Sequence, residues 1–274
     1  MKKFFLILFW LLLAAIVVIG VMIYLCFYGN PINKMIASNA VKNHMSENYS
    51  DTDYVVEGVH YNFKTGEYFA HITSPISSDS SFTVTVSPNG KNVYDDYDYR
   101  VTGRGNTASR IDKVYNTAVE SALKGEAFPY TIDILYARMI YKDEMFYEEN
   151  MVIPERAGEM SELVLDGKYD DAAVGAMGAD SGQIVIHICD ETVSSERMAE
   201  ILLGLRAALD ARGIGFYFVD AVLEYENGEE GRCEVMGFKY SDICSEGLVE
   251  RVAAANREAE QYHRKQDEIK LSES

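Results

Sequence analysis

The sequence predicts an α+β protein: an N-terminal transmembrane helix followed by two small α+β units with antiparallel sheets. Three observations carry this. Phe4 to Tyr28 is an apolar run with no charged residue in it, and at about 1.5 Å of rise per residue it outreaches a hydrocarbon core of about 30 Å. Downstream, short segments such as Phe82-Thr83-Val84-Thr85-Val86 alternate with the period of a half-buried strand. Between them lie apolar stripes at helical spacing, the clearest from Ile111 to Leu123.

The anchor comes first in the chain. Met1-Lys2-Lys3 ahead of an apolar stretch also describes a signal peptide, whose core is usually about 7–15 residues followed by small residues at the cleavage site. This run is longer, and Met22 to Tyr28 offers bulky residues where small ones are needed. Leu25 stands where a lipid-modified cysteine at 26 would want a small residue. An uncleaved anchor is therefore expected. Lys2 and Lys3 precede the span, while Lys34 and Lys42 follow it, so the positive-inside rule is nearly balanced. A short basic N-terminus ahead of a long polar body favours N-inside, and the body is expected outside the cytoplasm.

Gly29-Asn30-Pro31 breaks the span, with Pro31 suited to the first turn of a new helix. Ile32, Met35, Ile36, Ala40 and Val41 give that helix a stripe ending near Tyr49. Strands follow: Val55 to Phe63, a turn at Thr65-Gly66, Tyr68 to Ile72, then Phe82 to Val86 ending at Pro88-Asn89-Gly90. Val93 to Val101 is rich in Tyr and Asp and reads as a last strand. Ile111, Val114, Tyr115, Ala118, Val119, Ala122 and Leu123 form one helical face, expected to pack on this meander, with Gly125 as its stop.

In the second half, Tyr130 to Tyr147 reads as strand, and Gly158 to Gly178 is rich in small residues without a pattern. Ile184 to Ile188 is a buried strand. Ser194 or Ser195 caps a helix with Met198, Ile201, Leu202, Leu205 and Leu209 on one face. Two strands, Ile214 to Tyr225 and Arg232 to Tyr240, are joined by a turn at Asn227-Gly228. A last helix runs from about Ser245 to His263. The expected division is an anchor over 1–28, units over 29–125 and 126–265, and a charged, frayed tail over 266–274.

The anchor, Gly29-Asn30-Pro31, the amphipathic helix after it and the Tyr49 to Phe69 hairpin resemble the YfjL-like proteins of Firmicutes. Asp95-Asp96-Tyr97, Gly105-Asn106-Thr107 and Arg110 add to the likeness. The resemblance covers about the first 125 residues well and the rest loosely. It implies a membrane location and this architecture, and brings no catalytic residues with it.

The formal net charge is −18, with 43 acidic against 25 basic residues. Nucleic acid is thereby excluded as a partner, because binding it requires basic groups that displace counterions. Four cysteines, one inside the span, make no disulfide framework; Cys233 and Cys244 are the pair that could bridge.

Four constellations carry possible chemistry. With Thr65-Gly66 as a two-residue loop, His60 and His71 face each other across a hairpin, but a third ligand is missing. His187 and Cys189 share one strand face, where the bland reading is a core histidine and a buried thiol. Asp95, Asp96 and Asp98 lack the spacing and terminal Glu of a calcium loop. Gly103-Arg104-Gly105-Asn106-Thr107 precedes a helix and could meet an anion, but is neither a P-loop nor a dinucleotide fingerprint.

The sequence accordingly assigns no catalytic, cofactor-binding or metal-ligating residue. The expected role is a membrane-tethered extracytoplasmic interaction or sensing module of the cell envelope. Its expected partners are the lipid bilayer, through residues 4–28, and an envelope protein that could use the meander's edge strands. The alternative is an envelope hydrolase without a recognisable motif.

Overall fold

The computed structural model describes residues 2–144, 153–226 and 231–273. The fold is α+β, and the chain divides into two compact units, Met1–Asn106 and Thr107–Ser274.

The first unit opens with α1 (Lys2–Tyr28), a helix long and apolar enough to cross a membrane, with none of its apolar window buried in the protein. Gly29, at φ 75°, breaks it. Asn30 caps α2 (Pro31–Asn48) by accepting from Ile32 N–H at 2.9 Å, and Pro31 occupies the first turn. Then β1 (Val55–Asn62), β2 (Glu67–Thr73), β3 (Ser81–Val86) and β4 (Val93–Asp95) pair in order as an antiparallel meander. Tyr68, Ala70 and Ile72 of β2 and Phe82, Val84 and Val86 of β3 alternate into the core, where Ala37 and Val41 of α2 join them. The acidic segment after β4 is a wide helical turn over Asp98–Thr102, not a continuing strand.

The hairpin register differs from the two-residue-loop expectation. Asn62 pairs with Glu67 and His60 with Phe69, so the turn holds Phe63 to Gly66. Asn62 creates it: its Oδ1 accepts from Lys64 N–H at 3.1 Å and its carbonyl from Gly66 N–H at 2.8 Å, with Gly66 at φ 75°. A bulge between Val56 and Val59 shifts the register again. His71 instead pairs with Thr83.

The second unit contains the body of α3 (Gly105–Ala122), then β5 (Thr131–Met139), α4 (Asp171–Ser181), β6 (Gly182–Asp190), α5 (Ser195–Asp210), β7 (Phe218–Tyr225), β8 (Arg232–Lys239) and α6 (Leu248–Glu273). The sheet order is β5-β6-β7-β8. Two of its pairings are antiparallel, as expected of the whole sheet, but β6 and β7 are parallel and α5 is their crossover. Ile184, Ile186 and Ile188 of β6 are buried, as is the predicted α5 face of Met198, Ile201, Leu202, Leu205 and Leu209. The expected turn at Asn227-Gly228 lies outside the described residues, as does the end of the Tyr130 to Tyr147 segment. Cys233 is buried and Cys244 exposed, and both are free thiols.

Helix α3 corrects the expected boundary at 125/126, which falls at Asn106/Thr107 instead. Its buried face includes Ile111, Tyr115, Ala118 and Val119, while Val114 is only half-buried. From that helix Asp112 and Asn116 accept hydrogen bonds from Met139 and Ala137 N–H of β5, each at 2.8 Å. Tyr115 donates to the Gly215 carbonyl at 2.8 Å. The apolar stripe marks a buried face without saying which sheet it covers, and these polar ties decide it. At the other end of the sheet, Asn256 of α6 accepts from Glu234 N–H of β8 at 2.7 Å. Nor does the chain fray after 265, because α6 runs to Glu273 on good helix formers such as Glu268 and Lys270.

The small-residue segment without a sequence pattern runs into α4, and the helix's glycines are structural. A Cβ on Gly175 would sit 2.6 Å from the Gly213 carbonyl oxygen, and one on Gly178 would overlap the Gly215 carbonyl oxygen. The main chain at 213–215 therefore lies directly against α4, with Gly215 N–H donating to Gly175 O at 2.9 Å. Gly178→Ala is expected to cost about 1–3 kcal/mol through overpacking. Thermal melting of purified protein should show it as a Tm lowered by several degrees.

Candidate functional site

Among the described residues, two clefts of the second unit stand out. One, about 590 Å³, is lined by Gly213 to Tyr217, Asp210, Lys239 and Tyr240 among others. Part of its lining is the main chain at 213–215 that packs against α4. Tyr240 projects from the turn after β8, its ring against Phe216 at 5.1 Å and beneath the Arg206 guanidinium at 4.2 Å. The Tyr240 hydroxyl donates to Asp210 at 3.0 and 3.1 Å to its two carboxylate oxygens. Burial and the Asp210 carboxylate raise the Tyr240 pKa, so the phenol remains a neutral donor. Aromatic and aliphatic side chains beside a few polar groups are the ordinary make-up of a binding cleft.

The other cleft, about 500 Å³, opens at the carboxyl end of β6. Crossovers of this kind commonly present ligand sites there. Ser194 caps α5 by accepting from Arg197 N–H at 3.2 Å. The Arg197 guanidinium donates to Asp190 from Nε at 3.1 Å and Nη2 at 2.8 Å, and to Glu200 from Nη1 at 2.8 Å. It also lies over the Tyr130 ring at 5.0 Å. Burial would raise the Asp190 carboxyl, but the bonds from Arg197 and Thr192 N–H outweigh it and hold the pKa low. The cleft's other carboxylates are Glu191, Glu196, Glu200 and Glu226. Its arginine is thus already neutralised by Asp190 and Glu200 rather than offered to an anion.

Cys189 lines this second cleft and His187 does not. Both occupy one half-buried face of β6, as their spacing predicts. Burial, then the carboxylates Asp133, Glu224 and Glu226, raise the thiol pKa, opposite to the shift that makes a nucleophile. On the same face Arg138 donates to Gln183 at 3.1 Å, and Gln183 donates to Asp220 at 2.6 Å. That row of polar groups is spent on itself.

The remaining sequence candidates are in the first unit. His60 and His71 are exposed and stand in different cross-strand pairs. Asp95 accepts from Tyr49 OH at 3.0 Å and from His44 Nε2 at 2.6 Å, a contact sequence spacing does not announce. The Asn48 amide lies 3.2 Å from His44 Nδ1, which makes Nε2–H the donor to Asp95. Asp96 accepts from Thr83 N–H at 2.6 Å and Arg100 Nε at 3.2 Å. Arg104 donates to the Val101 carbonyl at 2.7 Å, and Asn106 to the Asp79 carbonyl at 2.8 Å. These acids and the glycine-rich turn tie the unit's own backbone together. No group of three or more potential metal ligands occurs among the described residues.

The YfjL-like N-terminal domain matches residues 1–97, and the YfjL-like C-terminal domain matches residues 114–253. The chain belongs to the YfjL-like family. The sequence likeness was carried mainly by the first 125 residues, whereas the family match extends through β8 and into α6. The gap between the two matched domains, 98–113, spans the structural boundary at Asn106/Thr107. No curated protein and no solved structure matches the chain.

A pH dependence follows from the carboxylate on the β5 edge. Burial raises the Asp112 pKa to about 7, against the Met139 N–H and Arg138 that pull it down. The unfolded value is about 3.9. Between those values the folded protein keeps a proton that the unfolded chain has released, so stability falls as pH rises through the window. Asp112→Asn keeps an acceptor for Met139 N–H and removes the titration. Relative to wild type it should gain on the order of a few kcal/mol in going from about pH 5 to about pH 8. Denaturant melts at the two pH values check this.

Proposed function

We propose that this YfjL-like protein is a single-pass, membrane-anchored module of the cell envelope, with its body outside the cytoplasm, that binds a partner without catalysis. The observation that carries the reading is the pairing of a long, largely apolar helix with clefts in which Asp210, Asp190 and Arg197 are engaged with neighbouring side chains. Asp210 is bonded to Tyr240, Arg197 to Asp190 and Glu200, and the Cys189 thiol is shifted away from the thiolate. The cleft at Gly213 to Tyr217 is the better binding surface, since aromatic and aliphatic residues line it beside a few polar groups. A partner offering an apolar or aromatic side chain with a polar end suits it. The acidic body gives nucleic acid no foothold.

An envelope hydrolase is the competing reading, favoured by the shared face of His187 and Cys189. Two measurements separate the proposals. A C-terminal reporter active only outside the cytoplasm should be active, and activity of a cytoplasm-only reporter would reverse the topology. Full-length protein in liposomes should leave ester and peptide substrates intact; turnover lost in Cys189→Ala would establish the enzyme instead.

A further inference from the structure

We propose that the β1–β2 hairpin tip and the first turn of α2 rest in the interfacial layer of the membrane that α1 crosses. This rests on the anchored reading above. The apolar run of α1 exceeds the thickness of a hydrocarbon core, which places its last turn at the membrane–water boundary. Phe27 of that turn touches Phe63 at the hairpin tip, with ring centroids 5.6 Å apart. Phe63 is 56% exposed and, through Phe27, continues the exposed apolar surface of α1 onto the hairpin.

The tip's depth is fixed because the hairpin is clamped to the end of the span. Tyr68 donates to the Asn30 carbonyl at 2.9 Å, and its ring lies 5.1 Å from that of Tyr61. Gly29 fits between them, since a Cβ there would lie 2.7 Å from both Tyr61 Cγ and the Tyr68 oxygen. The left-handed φ of 75° at the same residue also favours glycine. The hairpin therefore cannot swing away from α1 without breaking this packing.

The distribution of exposed apolar groups on α2 points the same way. Ile32 and Met35, next to the span, are 64% and 62% exposed, while Asn39, Lys42 and Asn43 farther along are exposed and polar. Lys34 and Lys64 stand among the apolar groups, where a lysine stem can lie along lipid with its amine at the headgroups. Two lysines and several exposed apolar residues thus lie close to the end of the span. A lipid interface with anionic headgroups is the surface these groups suit.

The test uses the full chain in liposomes of zwitterionic and anionic lipid, brominated either near the headgroup or near the bilayer centre. Tryptophan is the probe. Phe63→Trp in a Trp10→Phe background should emit at shorter wavelength than a water-exposed indole and lose most of its intensity to headgroup-proximal bromine. Ile76→Trp in the same background, at the opposite end of β2 and 85% exposed in the native chain, should be unquenched. Wild-type Trp10 should be quenched, reporting insertion of the anchor. If Trp10 is quenched and the Phe63→Trp indole is not, the resting surface is overturned while the anchor stands. A blue-shifted but unquenched indole there would mean a protein contact, and overturns it equally. Unquenched Trp10 would remove the anchored reading and this proposal with it.

Discussion

The second unit depends on how its sheet edges are closed. An edge strand leaves every other N–H without a ladder partner, and a buried orphan costs about 1–3 kcal/mol. Asp112 and Asn116 meet two such groups on β5, and Asn256 meets one on β8. From this follow the assignment of α3 to the second unit, the lie of α6 along β8, and the burial of a carboxyl on the β5 side. That carboxyl is the costly part. An amide would accept the same hydrogen bond without a charge to desolvate, so Asp112 ties the stability of the edge to its protonation.

Periodicity revealed the elements and not their partners. The alternation in Tyr68 to Ile72 and Phe82 to Val86, and the α5 face from Met198 to Leu209, were legible because burial on one side writes a period into the sequence. The parallel pairing of β6 and β7 was not legible. Phe218, Val219, Ala221, Val222 and Leu223 are all buried, so β7 lacks the alternation that signals a strand with one wet face. The hairpin register failed for a local reason, since Asn62 and Gly66 bracket a four-residue turn that looks like a two-residue one if only Thr65-Gly66 is read. Helix α4 was hidden because Gly175 and Gly178 lower helix propensity, and only the close approach of 213–215 explains their presence.

The candidate site was less legible than the fold. Sequence reading singled out residues by chemical type, and several of them bond the protein's own groups: Asp95 and Asp96 anchor the meander, Arg104 reaches the Val101 carbonyl and Asn106 the Asp79 carbonyl. The cleft at Gly213 to Tyr217 is assembled from the end of α5, a backbone segment and the turn after β8, which are adjacent only in space. Its single local signal is Arg206 and Asp210 at i and i+4, a spacing that ordinary helix surfaces also show. Main-chain walls leave no residue-type signature.

The edges also bear on how a partner would be engaged. Strand addition needs a long, flat, unpaired edge. In the meander, β1 is broken by a bulge at Gly58, where φ is 125°, and β4 is only three residues long. In the second sheet, side chains from α3 and α6 already occupy edge donors of β5 and β8. Both sheets are therefore poor templates for an added strand. Recognition through side chains seated in a cleft is the mode this architecture leaves open, and the edge strands of the meander are the weaker surface of the two.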